Sequence, residues 1–227
     1  MATAAAESRS EVGEKATALE RVRRTGVVAI MRHTDASLAV ESAEALLLGG
    51  IDVVEVTLNT AGATTMIAEL AKRLGGRLLI GAGTVLSPAA VRQAVEAGAR
   101  FIVAPNTSAM VIAQCNQLGV PVVPGAFTPT EVVAAWELGA DLVKVFPVSS
   151  VGPRYIRDLR GPLPDIPLVP TGGITSQNVA DFIRAGAFAT GAGSDLVSKD
   201  VVDRRDFAEL ERRARSFSEG VRRGRGA

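Results

Sequence analysis

Apolar runs of six to eight residues recur along the chain, each set off from the next by an amphipathic stretch that ends near a glycine. The runs are GVVAIM (26–31), IDVVEVTL (51–58), RLLIGAG (77–83), RFIVAP (100–105), VPVVPG (120–125), DLVKVFP (141–147), IPLVPTG (166–172) and AFATGAG (187–193). Their apolar side chains occupy successive positions, so both faces of each run are suited to burial, as in parallel strands covered by helices. The glycines Gly50, Gly76, Gly98, Gly119, Gly139 and Gly186, with Gly161 filling the one long gap, recur at roughly 20 to 26 residues, the length of an αβ unit. Each suits the left-handed position that closes a helix. Ser87-Pro88 and Thr128-Pro129 place a cap residue before a first-turn proline, and Glu131 completes a capping box with Thr128.

Eight such units predict an α/β fold of the (β/α)8 TIM-barrel type, with its active site at the C-terminal ends of the strands. An open doubly wound sheet is the alternative, but the first run lacks the G-x-G-x-x-G of a dinucleotide fold. An extra N-terminal helix is expected within 1–24 and a closing helix over 203–220. The chain reads as a single domain, 1–227, with its core at about 20–200 and with 1–10 and the basic end 221–227 disordered.

Composition narrows the partners. The 227 residues carry 25 basic and 24 acidic side chains, so no global field draws the protein to nucleic acid or to an anionic membrane. No apolar run is long enough to span a bilayer, and the start MATAAAESRS has no hydrophobic signal core. One cysteine, Cys115, and one histidine, His33, exclude an internal disulfide and leave no ligand cluster for a metal, so neither metal nor cofactor is expected. The expected partner is a small molecule, and the expected setting is the reducing cytoplasm.

Of the four lysines, Lys15, Lys72, Lys144 and Lys199, only Lys144 stands inside a strand run. An ammonium in an apolar wall is costly, which favours the neutral amine able to attack a ketone. A purely structural ion pair is the competing reading. Glu55 weighs against it: in VVEVTLN it interrupts a second apolar run and shares a face with Thr57 and Asn59 by the two-residue strand period. A carboxylate near Lys144 can move protons, and partial burial raises its pKa toward the working range.

At the ends of strands seven and eight, Thr171-Gly172-Gly173 and Gly191-Ala192-Gly193-Ser194-Asp195 offer backbone amides for a phosphate, with a short helix expected to begin near Ser194. Thr84 and Pro105 end strands three and four on the same rim. Arg32, after strand one, suits a substrate carboxylate. His33 reads as an exposed loop residue, Cys115 as a small hydrophobe on a helix, and Trp136 as core or interface.

Together EVTLNT, GAGTVLSP, VAPNTS, VVPGAFTPTE, LVKVFP, VPTGGI and GAGSDLV resemble the 2-keto-3-deoxy-6-phosphogluconate (KDPG) / 4-hydroxy-2-oxoglutarate (KHG) aldolase family over about residues 20–200. The resemblance implies a metal-free class I aldolase on a barrel, a homotrimer, with Lys144 as the Schiff-base residue and Glu55 as the proton-transfer residue. It implies that Thr84, Pro105, Phe146, Thr171, Gly172, Gly173 and Ser194 line the substrate pocket or grip phosphate, and Gly193 belongs to the same phosphate loop. The phosphogluconate branch carries arginine where this chain has Asn59. Asparagine there, and the segment FPVSSVGPRYI, resemble the phosphogalactonate branch, whereas VPTGG keeps the threonine of the phosphogluconate branch.

The implied reaction is retro-aldol cleavage of a 2-keto-acid to pyruvate and glyceraldehyde 3-phosphate, or to glyoxylate from 4-hydroxy-2-oxoglutarate. Two rivals share the expected phosphate site. A metal-dependent phosphosugar isomerase needs a histidine and carboxylate ligand set, and a non-catalytic binding barrel has no need to retain Lys144 and Glu55.

Overall fold

A computed structural model describes residues 2–32 and 36–226. The chain begins with helix α1 (Ala2–Thr25) and then alternates parallel strands with helices: β1 (Val27–Met31), α2 (Ala39–Leu48), β2 (Val53–Thr57), α3 (Ala63–Leu74), β3 (Leu79–Gly83), α4 (Pro88–Glu96), β4 (Ile102–Val103) and α5 (Ala109–Gln117). It continues through β5 (Val122–Val123), β6 (Gly125–Ala126), α6 (Pro129–Glu137), β7 (Val143–Val145), α7 (Gly152–Arg160), β8 (Leu168–Pro170), α8 (Val179–Arg184), β9 (Thr190–Ala192), α9 (Lys199–Asp203) and α10 (Phe207–Arg225).

All eight apolar runs contain strand. The fifth is divided: Pro124, which has no N–H to give a ladder, separates β5 from β6. β5 edges a six-stranded parallel sheet in the order β5-β4-β3-β2-β1-β9, and β6 edges a three-stranded parallel sheet β6-β7-β8. At the other margins, Thr171 after β8 bridges Gly191 of β9, and Phe188 N–H donates to Leu168 O at 2.9 Å.

Alternate side chains enter two apolar layers. Val54 and Val56 of β2 face the helices, in a core with Leu46, Leu70, Ile80 and Phe217. Val53 of the same strand faces inward, where Val28, Leu79, Phe101, Val103, Val123, Leu142 and Val169 gather side chains from both sheets. Ala18 and Val22 of α1 pack onto this inner layer and cover its N-terminal end. Arg21 Nε to Asp52 Oδ2 at 2.9 Å and Lys15 Nζ to Asp141 Oδ1 at 2.9 Å pin that helix in place.

The expected caps form: Ser87 Oγ accepts from Ala90 N–H, and Thr128 and Glu131 make the capping box. Of the six punctuating glycines, Gly50, Gly98, Gly119, Gly139 and Gly186 take positive φ, whereas Gly76 does not. Helix extends into both end segments for which disorder is expected. Helix α10 runs to Arg225, past the expected frayed end at 221, because Val221 is buried at the side of Gly26. The start of the chain, 2–10, is helical within α1. Among the described residues, no helix is long and apolar enough to cross a membrane and no cluster of His, Cys, Asp or Glu is poised to hold a metal.

Candidate active site

Among the described residues, Glu55 and Lys144 are the two charged side chains of the inner layer, 3% and 6% exposed. The strand period puts Glu55 inward beside Val53, in register with Ile30 of β1 and Gly81 of β3. Lys144 lies between Gly125 of β6 and Val169 of β8. Its Nζ stands 5.0 Å from the centroid of the Phe146 ring, a cation–π arrangement. Both residues, with Thr171 and Gly191, line an internal cavity of about 20 Å³ whose remaining walls are apolar.

Burial in those walls raises the Glu55 carboxyl above the usual carboxylate range, while the charges of Lys144 and Arg32 pull the other way. Such a carboxyl holds its proton nearer to neutrality than an exposed glutamate does, the condition for a group that must both take and return a proton.

Room for these side chains comes from glycines. A Cβ at Gly83 would fall 1.8 Å from Glu55 Oε1, and one at Gly191 would fall 2.5 Å from Thr171 Oγ1. One layer deeper, Gly81 makes way for the Phe101 ring, whose nearest atom would be 2.4 Å from a Cβ there. Sequence reasoning missed Gly81 and Gly83 and took Gly191 for part of a phosphate loop. The signal was the G-A-G repeat, which leaves two inward positions of one strand without side chains.

Above the charged pair, a cavity of about 520 Å³ opens at the C-terminal ends of the strands. It is lined by Arg32, Phe146, Thr171, Gly172, Gly173, Gly193 and Ser194, so these expected residues share one site, and Thr171 lines both cavities. Gly172 and Gly173 take φ of 93° and 75°, which glycine alone adopts easily, and a Cβ at Gly173 would lie 2.9 Å from Ser149. Gly193 has nothing within 4 Å of where a Cβ would stand, so its backbone borders open space. No helix begins at Ser194, contrary to expectation. Leu196 and Val197 N–H both return to Gly193 O, closing a turn, and α9 starts only at Lys199.

Three expected residues lie at the same end of the strands but outside that cavity's lining. Asn59 is exposed after β2. Thr84, after β3, has φ of 57°, a conformation uncommon outside glycine that recurs at functional sites. Pro105 follows β4 and stacks its backbone against Gly125, beside Lys144. His33 lies outside the described residues. Lys199, which the sequence reading left unassigned, also lines the cavity and pairs with Asp203 at 2.5 Å. Cys115 is buried in α5, and burial, followed by the nearby Asp141 charge, pushes its thiol up to about 12, so it packs as an inert hydrophobe. Trp136 is 40% exposed on α6 and is not core.

The family model described as KDPG and KHG aldolase matches residues 19–213. The chain is 39% identical to the 2-dehydro-3-deoxy-6-phosphogalactonate aldolase of Escherichia coli K12 over 171 residues, 75% of this chain and 83% of that one. It is 35% identical to the 2-dehydro-3-deoxy-phosphogluconate aldolase of Pseudomonas aeruginosa over 204 residues, 89% of this chain and 91% of the other. The crystal structure of KDPG aldolase from Legionella pneumophila, with pyruvate captured as a covalent carbinolamine, superposes with a TM-score of 0.82 at 27% identity, covering 88% of this chain and 97% of that one. With these matches spanning most of its length, the chain belongs to the KDPG and KHG aldolase family of lyases.

Proposed function

We propose that the protein is a class I aldolase that cleaves 2-keto-3-deoxy-6-phosphogluconate to pyruvate and glyceraldehyde 3-phosphate through a Schiff base on Lys144. The observation that carries this reading is the pairing of one buried strand lysine with one buried strand carboxylate beneath a glycine-walled cavity. The Lys144 amine adds to the C2 ketone, and loss of water gives an iminium. The C3–C4 bond then breaks with its electron pair moving into the iminium, while Glu55 takes the proton of the C4 hydroxyl and the aldehyde departs. Glu55 returns that proton to C3 of the enamine. Water hydrolyses the resulting iminium, releasing pyruvate and the free amine.

In this reading Arg32 holds the substrate carboxylate, Thr84, Pro105, Phe146 and Thr171 line the reacting chain, and Gly172, Gly173, Gly193 and Ser194 take the phosphate through their amides and hydroxyl. The strands form a closed (β/α)8 barrel whose fifth strand is broken at Pro124. The Thr171–Gly191 bridge and the passage from β5 to β6 through one residue support that closure. Exposed Leu86 and Met110 support self-association, and by family resemblance the assembly is a homotrimer in the cytoplasm.

Phosphogalactonate as substrate is the second reading, favoured by Asn59 and by the E. coli relative. Lactate-dehydrogenase-coupled assays with both substrates separate the two, and an Asn59→Arg variant with unchanged preference removes Asn59 from the argument. The aldolase reading is tested by incubation with pyruvate, borohydride reduction and peptide mass spectrometry. An adduct on Lys144, absent in Lys144→Ala, is expected; a folded protein without one overturns it.

A further inference from the structure

The two glycine loops that wall the cavity, 171–176 after β8 and 193–198 after β9, are tied together and to the closing helix by side chains whose purpose the reaction leaves unexplained. Asp195 Oδ2 accepts from Ser176 N–H at 3.2 Å, joining one loop to the other. Arg213 of α10 donates through Nη1 to Asp195 O at 3.1 Å and to Ser198 Oγ at 3.0 Å. Its Nε donates to Glu209 Oε1 at 2.7 Å, which fixes the guanidinium plane, and Glu209 is itself anchored where Asp206 caps the helix. On the first loop, Asn178 Nδ2 donates to Gly173 O at 2.9 Å while its Oδ1 accepts from Thr175 N–H at 2.8 Å.

A carboxylate lining a cavity proposed to receive a phosphate is electrostatically adverse unless the bond it makes is worth more than its charge. Glycine loops supply amides but no rigidity of their own, so the distance between the two loops must be imposed from outside. We infer that Asp195 and Arg213 are positioning residues that set the spacing of the two loops, and hence the grip on the phosphorylated end of the substrate. This rests on the aldolase reading above and adds to it a specificity device seated on α10, more than a strand's length of chain away from Lys144 in sequence. Each acts through the loops it ties together.

The test is the ratio of kcat/KM for 2-keto-3-deoxy-6-phosphogluconate to that for its phosphate-free counterpart, measured on the full chain. Arg213→Met and Asp195→Ala are each expected to lower the ratio about 5- to 10-fold, the worth of one positioning hydrogen bond, chiefly through KM for the phosphorylated compound. Asp195→Asn keeps an acceptor for Ser176 N–H and sheds the charge, so it should hold or raise the ratio. Variants that depress both substrates alike, or an Asn variant as poor as the Ala variant, overturn the inference and leave a merely structural clip. Pyruvate trapping on Lys144 is run on the same samples: its failure in the parent protein sinks the aldolase reading and the inference with it, whereas trapping with an unmoved ratio sinks the inference alone.

Discussion

The inner layer of the strands has two ends built to opposite rules. At the N-terminal end, Phe101, Leu79, Val53, Ala18 and Val22 pack without a charge among them, and α1 lies across them. A few residues along the same strands, Glu55, Lys144 and Thr171 replace apolar side chains and the wall opens into the larger cavity. Strand β2 shows the switch within three residues, from Val53 to Glu55, and β3 shows it from Gly81, which clears space for a ring, to Gly83, which clears space for a carboxylate. Separating the two ends lets the apolar one supply stability that the buried charges consume.

The largest effect that would break this comparison is kinetic. Lys144→Ala removes the proposed nucleophile and should cost at least on the order of 10⁴-fold in cleavage rate while leaving the fold intact, measured by coupled assay and circular dichroism. Its counterpart at the covered end is Phe101→Ala, which empties a buried ring and should destabilise by about 3–5 kcal/mol in urea unfolding, with the rate per folded molecule changed far less. Equal damage to rate and stability by either variant would show that the two ends are not independent.

The glycines sharpen the same contrast. Gly83→Ala places a methyl where Glu55 Oε1 stands, so the carboxylate must leave its position; a loss of about 10²-fold in rate is expected, the lower range for a displaced acid–base group. Gly81→Ala meets the Phe101 ring instead and should cost about 1–3 kcal/mol of stability, the usual range for overpacking. A Gly81→Ala variant that loses more activity than Gly83→Ala would refute the division.

Where the sequence was legible, the reason is local. The apolar runs betray strands because parallel strands bury both faces, and a charge inside such a run stands out, as Glu55 and Lys144 do. The cap residues at Ser87 and Thr128 act within one turn and were equally readable. What escaped depends on partners distant in the chain. Gly81 and Phe101 are neighbours only because β3 and β4 pair, and Val221 holds the end of α10 in helix only because it meets Gly26. The turn at Ser194 imitates a helix start in sequence, but its two N–H bonds to Gly193 O and the grip of Arg213 close it early. The division of the fifth run at Pro124 follows from a proline whose effect depends on which neighbour its missing N–H faces.

The smallest of these effects concerns protons and tests whether the charged end pays for itself in the way proposed. Burial raises the Glu55 carboxyl, and the charges of Lys144 and Arg32 oppose the shift without reversing it. A folded-state pKa above the unfolded value, about 4.3 for glutamate, means that the stability linked to Glu55 is complete below the unfolded value. That stability is lost as pH rises through the folded value. Glu55→Gln, which stays neutral, should therefore gain in Tm over the parent as pH climbs from about 4 to 8, with the two converging at the acid end. The rate should move the other way: the proposed cleavage uses Glu55 as the carboxylate, so parent kcat/KM should rise with pH through that same folded value, and Glu55→Gln should lack this limb. A Tm gap that shrinks with rising pH would mean that the folded state prefers charged Glu55, and an acid limb that survives in Glu55→Gln would assign it to another group.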